Sequence, residues 1–296
     1  MRNHSQVSKA DQAPTEPKAR KNLPKWMTDH FRKSLDAHEN LGQIVRLSEK
    51  GISVLRGMPK VVKVIADLDG RSDEAGHEEK VRRAEEEANL AQAEIDKGFP
   101  VLHQFAVVAL WSWLEHFIKD FVALWLQHRK GALKRPQLSK IKIRLGEYLQ
   151  LSKAEQASYL VELLEQELGS PLKKGVTRFE SLLEPFTLSG SLPQGCAQDL
   201  FELQQIRNVI AHRNGIADRR LKSACPWLKV RVGQPVNVSG NMLGRYSEAS
   251  AVYLLEVLYR VGDAHNVNLR ASNAQESNAT ALGPREDAVE KAKQGH

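Results

Sequence analysis

Arg207, Asn208 and His212 stand close together in the stretch Gln205-Ile206-Arg207-Asn208-Val209-Ile210-Ala211-His212-Arg213-Asn214-Gly215. Histidine changes charge near neutral pH, so it can take or give a proton under working conditions. Arginine is a permanent cation whose planar fork grips a phosphate through two hydrogen bonds. These are the residue types that acid–base chemistry beside a phosphate requires. Their spacing adds a constraint. At about 100° per residue, Asn208 and His212 stack on one face of a helix, whereas Arg207 lies about 140° round from His212. Arg207 must then reach round, or the helix must loosen near its end, or a second chain must complete the site. The same residues also have a plainer reading, since Arg and His in a last helical turn are favoured by the helix dipole.

No rival constellation competes. The sequence holds no Walker loop, dinucleotide fingerprint, zinc set or Ser/His/Asp pattern. His30, His38, His77, His103, His116 and His128 show no metal-ligand spacing, and no acidic cluster offers a seat for a catalytic cation, so neither metal nor cofactor is expected. Cys196 and Cys225 cannot build a disulfide framework. They read as reduced thiols of a cytosolic protein, with a single bridge between them as the alternative.

The net charge of +7 is concentrated locally. Residues 1–25 hold six Lys/Arg against two acids, which leaves the rest of the chain only mildly basic. Two runs stand out. Arg129, Lys130, Lys134, Arg135, Lys140, Lys142 and Arg144 precede the first acid at Glu147. Arg213, Arg219, Arg220, Lys222, Lys229 and Arg231 surround the motif, with Asp218 as the lone carboxylate among them. Charge runs commonly make a solvated face. The second run flanks a candidate phosphate site, so Arg213, Arg219, Arg220 and Lys222 are the candidates for contact with a phosphate-bearing substrate.

The elements that must position these residues are helical. Residues 26–39 predict a first helix, and Val61 to Leu68 fits either a strand or a short helix. Val81, Ala84, Ala88, Ala91 and Ile95 form a narrow apolar stripe that asks for one partner helix. Residues 101–127 carry Trp111, Trp113, Phe117, Phe121 and Trp125 on most faces, as a bundle's core helix does. That stretch is long enough to span a bilayer, but His103, Gln104, Glu115, His116, Lys119 and Asp120 interrupt it, so a buried helix and no membrane contact are expected. Ser152 and Glu155 form a capping box opening a helix to about Leu168, stopped by Gly169 and Pro171. A short helix is expected at 175–184. Another follows at 195–213, with Leu200, Leu203, Ile206 and Ile210 inward and Gly215 as its stop. Val230 to Val238 reads as a small β-hairpin, and Ser247 as the cap of a last helix through Val261. No secretory leader is evident in residues 1–25.

The motif Arg207-Asn208…His212, on a helix preceded by the aromatic helix with its Trp113-Leu114-Glu115 segment, resembles the signature of the HEPN superfamily. The resemblance covers about residues 100–264, and residues 26–97 match no family. It implies an all-α helical bundle of HEPN type with a small β-hairpin before the last helix. The expected organisation is a disordered basic tail (1–25), an N-terminal helical extension (26–98), the HEPN-like domain (99–265) and a second disordered tail (266–296). It further implies a cytoplasmic, metal-independent endoribonuclease of toxin or phage-defence type, in which the ribose 2′-hydroxyl attacks the adjacent phosphate. His212 would be the acid/base residue, Arg207 the transition-state cation and Asn208 a positioning group, at a site shared by two chains of a homodimer. Glu115 resembles a helix residue that some members place near the site, where it would hold Arg207, although an ion pair with Lys119 one turn on serves equally well. RNA is the implied partner, and an antitoxin or regulatory protein a further one. The alternative function is a non-catalytic HEPN module for RNA binding or dimerisation.

Overall fold

A computed structural model describes residues 22–70 and 76–270. The two tails expected to be disordered therefore fall largely outside the described residues. The architecture is all-α, with no strand among the described residues.

Helix α1 (Lys25–Leu55) runs further than its first apolar segment suggests. It continues because nothing in residues 40–55 breaks it: Gly42 and Gly51 are isolated, and no proline follows until Pro59. Val61 to Leu68 resolves as helix, within α2 (Met58–Leu68). The narrow alanine stripe lies on α3 (His77–Asp96), where Ala84, Ala88 and Ala91 are buried. α3 packs against both α1 and α2, one neighbour more than the stripe asks for.

The core is built on α4 (Pro100–His128). Trp111, Leu114, Phe117, Ile118 and Phe121 are all buried there. α4 is apolar and long enough to cross a membrane by length and composition alone, yet thirteen of its residues are buried inside this protein. The N-terminal half of α1 lies along it. Met27 and Phe31 enter the same core, and His30 stacks on Phe117 at 5.3 Å between centroids. Two single-turn helices, α5 (Pro136–Ser139) and α6 (Leu145–Tyr148), lead to α7 (Lys153–Glu167). Ser152 and Glu155 make the expected reciprocal capping box on α7. Gly169 then adopts φ 58°, which ends the helix. α8 (Thr177–Leu183) is followed by α9 (Gln194–Arg213), α10 (Arg219–Ala224) and α11 (Gly240–Ala264). α9 packs on α4 and α11, burying Leu200, Leu203 and Ile206.

Two sequence expectations are corrected here. The hairpin at Val230 to Val238 does not form. Its backbone pairs instead with residues 215–217: Ala217 N donates to Gln234 O at 2.9 Å, Gly233 N to Ala217 O at 2.8 Å and Val236 N to Gly215 O at 2.8 Å. Ile216 and Pro235 make the sole bridge among the described residues. Side chains of α4 take further acceptors, since His103 Nδ1 meets Val238 O at 2.9 Å and Gln104 Nε2 donates to Val236 O at 3.0 Å. With those groups spoken for, and Pro235 lacking an N–H, no second arm is left to pair. The last helix also begins earlier than expected. Ser239 accepts from Met242 N as its cap, and Ser247 lies inside α11, where its hydroxyl meets His38 Nε2 at 3.1 Å.

Candidate functional site

α9 delivers the motif. Its C-terminus is closed by Asn214 at φ 51° followed by Gly215 at φ 73°, both left-handed. Gly215 is doubly required: a Cβ there would lie 3.1 Å from the Gln104 amide. The chain then turns into α10, capped by Asp218, whose Oδ1 accepts from Leu221 N at 2.8 Å. α9 and α10 thus meet at a corner, and the segment from Pro171 to Lys174 faces that corner from the other side.

Between them lies an open cleft of about 1030 Å³. Asn208 and His212 line it together, as their shared helical face predicts, and Arg213, Arg219 and Arg220 join them. Lys173 and Lys174 complete the basic lining. Asp218 is the one carboxylate in it, and it is engaged as the α10 cap and lies 3.9 Å from Arg213 Nε. Lys222, named with the basic run, is exposed on α10 but does not line the cleft.

Arg207 is not part of this lining. It is half-buried, its Nη1 donates to Asn208 Oδ1 at 3.3 Å, and its Nε is buried without a hydrogen-bond partner. The α9 helix stays regular through Arg213, so it does not loosen to bring Arg207 round, and the guanidinium makes its hydrogen bond to Asn208 rather than to His212.

Glu115 has other partners than Arg207. Arg178 Nη2 donates to its Oε1 at 2.5 Å, and Lys119 Nζ lies 3.3 Å away, the i,i+4 pair that its sequence spacing allows. Both cations also hold Glu165, at 2.8 Å and 2.7 Å. Burial pushes the Glu165 carboxyl up, but its hydrogen bonds and charge pairing with Lys119 and Arg178 win, leaving it below the ordinary carboxylate range. This cluster ties α4, α7 and α8 together.

A second network fixes α9 against α11. Glu202, fully buried, accepts from Tyr246 Oη at 2.5 Å, Trp227 Nε1 at 2.5 Å and Arg245 Nη2 at 3.0 Å. Burial, with the Glu202 carboxylate beside it, holds the Tyr246 phenol far above its ordinary value. The cysteines are free thiols. Burial raises Cys196 to about 11 and Cys225 to about 12, which removes both as nucleophiles at neutral pH.

Lys173, Lys174, Gln204 and Gln205 are cleft residues that the sequence reading missed. The Lys173-Lys174 pair sits in a turn between two helices, and its facing α9 depends on packing between segments remote in sequence. Among the described residues, no group of three or more His, Cys, Asp and Glu side chains could hold a metal ion. No protein family, curated protein or solved structure matches the chain.

Proposed function

We propose that this protein is a metal-independent endoribonuclease of the HEPN kind. The observation that carries this reading is the shared placement of Asn208 and His212 on one face of α9, opening into a cleft lined by Lys and Arg side chains. In the reaction, the ribose 2′-oxygen bonds to the adjacent phosphorus and the phosphorus–5′-oxygen bond breaks. One base takes the 2′-hydroxyl proton and one acid protonates the leaving 5′-oxygen, giving a 2′,3′-cyclic phosphate and a 5′-hydroxyl. His212 is the acid/base group, and Asn208 positions the phosphate or the imidazole. Arg207 stands off the cleft of its own chain, which favours a site completed across a twofold axis, where the Arg207 side chains of both chains would meet one shared phosphate. The setting is cytoplasmic, in toxin or phage-defence function, with an antitoxin or regulatory protein as further partner.

The test is cleavage of RNA by the purified wild-type protein beside His212→Ala. His212-dependent turnover is the expected result, and equal cleavage by both proteins overturns the reading. One observation favours a second reading, a HEPN module that binds RNA without cutting it: Arg207 Nη1 donates to its neighbour Asn208 at 3.3 Å and is absent from the cleft lining beside His212. RNA binding that survives His212→Ala, with no turnover in either protein, selects that reading.

A further inference from the structure

The segment from Pro171 to Gly175 is more than a connection between α7 and α8. Gln204, buried on α9, accepts the Gly175 amide through Oε1 at 2.6 Å, and Gln205 Nε2 donates to the same oxygen at 3.1 Å. Gly175 is at φ 55°, and a Cβ there would lie 3.1 Å from both Cα and Cβ of Phe201. The turn is therefore pressed directly onto the helix that carries His212. Its conformation and its close approach both depend on glycine. Lys173 and Lys174, immediately before Gly175, line the cleft and make no ion pair among the described residues, although Lys173 also borders a hollow that holds Glu180 and Glu184. Unpaired cations fixed beside a helix bearing a proton carrier form a ready anion seat.

We propose that this turn is the second wall of the nucleic-acid site: Lys173 and Lys174 bind phosphates of single-stranded RNA next to the one addressed by His212, and Gln204 is the positioning residue that holds them there. The proposal rests on the ribonuclease reading for the identity of the polyanion, but not on turnover. Strandedness follows from size. A cleft of about 1030 Å³, walled on both sides, is at the upper end of the roughly 300–1,000 Å³ typical of small-ligand sites. It takes a nucleotide or two of a splayed strand, whose phosphates can then reach both the α9 face and the turn, whereas paired strands hold their phosphates on the outside of a regular helix.

The test uses a short, fluorescently labelled 2′-O-methyl oligoribonucleotide, which has no 2′-hydroxyl to react, and reads its binding by anisotropy across a salt series. Each single-strand phosphate that a cation neutralises adds roughly 0.7 to the slope of log K against log salt, so Lys173→Ala/Lys174→Ala is expected to flatten that slope by about 1.4. Lys140→Ala/Lys142→Ala, outside the cleft, keeps the wild-type slope. Gln204→Leu weakens binding several-fold in the wild-type background and has no further effect in the Lys173→Ala/Lys174→Ala protein, as expected of a residue that acts only by positioning those lysines. Annealing the complement to the probe lowers affinity. An unchanged slope in the Lys173/Lys174 variant, or equal affinity for the duplex, overturns the proposal even if His212-dependent cleavage stands. The expected slope change without any turnover leaves the turn's role intact and removes the nuclease reading instead. Absence of binding by the wild-type protein overturns both.

Discussion

His212 stands one helical turn beyond Asn208, and both side chains open into the same basic cleft, while the intervening Ile210 is half-buried on another face. The pairing gives the two residues separable effects. His212→Ala removes the proposed proton carrier and is expected to lower kcat by about 10²–10⁴-fold, the usual contribution of general acid–base groups, with little change in RNA affinity. The wild-type protein should act in EDTA and leave 2′,3′-cyclic phosphate ends. Cleavage abolished by EDTA and restored by magnesium contradicts the mechanism.

Glu115 offers a second separation. Its partners are Arg178 and Lys119, so Glu115→Gln is expected to lower the melting temperature and leave kcat at the wild-type level. Arg178→Met goes further, because it leaves Glu165 almost fully buried beside a single remaining cation, Lys119. Breaking a fully buried pair costs about 3–5 kcal/mol. The partial exposure of Arg178 and Glu115 reduces that to roughly 2–3 kcal/mol, measurable by denaturant titration. A Glu115→Gln protein that melts normally but no longer turns over would instead place Glu115 in the active site.

Much of this architecture is legible in residue pattern. The capping box at Ser152 and Glu155, the aromatic core helix and the Asn208–His212 face all depend on periodicity and local hydrogen bonding, which sequence records directly. The hairpin reading of Val230 to Val238 fails for the complementary reason. Alternating apolar residues around Gly233 and Pro235 specify an extended, half-buried segment, but not its partner. Here residues 215–217 and two α4 side chains supply that partner. The place of Lys173 and Lys174 is hidden in the same way: the Gly175 amide beside them bonds to Gln204, twenty-nine positions away. Residues 40–55 do not announce the C-terminal half of α1, because its apolar residues lie on several faces, with Ile44, Leu47 and Val54 exposed, and lack the one-sided polarity that marks a surface helix.

Stability should fall on mild acidification. His30, stacked on Phe117 with Nε2 3.2 Å from Phe117 O, and His38, packed on Trp113, are both held below the ordinary 6.5 chiefly by burial. A histidine depressed in the folded state binds fewer protons there than in the unfolded chain. Stability is therefore full above about pH 6.5 and declines as pH drops below it towards the folded-state values. Thermal melts between neutral and mildly acid pH should show this decline, and a His30→Phe/His38→Phe protein should show a shallower one. Identical slopes in the two proteins would rule out these histidines as the source.

Arg207 and His212 do not meet within one chain, and the consequence is a test of the composite site. Two copies of α9 related by a twofold axis would bring both Arg207 side chains and both His212 side chains around one phosphate. One imidazole then accepts the 2′-hydroxyl proton as its twin protonates the leaving oxygen, a division that a single histidine cannot achieve in one concerted step. In exchanged mixtures of wild-type and His212→Ala chains, heterodimers should be crippled, so activity should fall roughly with the square of the wild-type fraction. A mixture of Arg207→Ala and His212→Ala chains sharpens the test. Each such heterodimer keeps one arginine and one histidine, so a site that needs both imidazoles stays inactive in the mixture, and recovered activity would show instead that one imidazole and the partner's Arg207 suffice. Activity that tracks the wild-type fraction linearly, or a monomer by light scattering that cuts RNA at full rate, would show that each chain works alone.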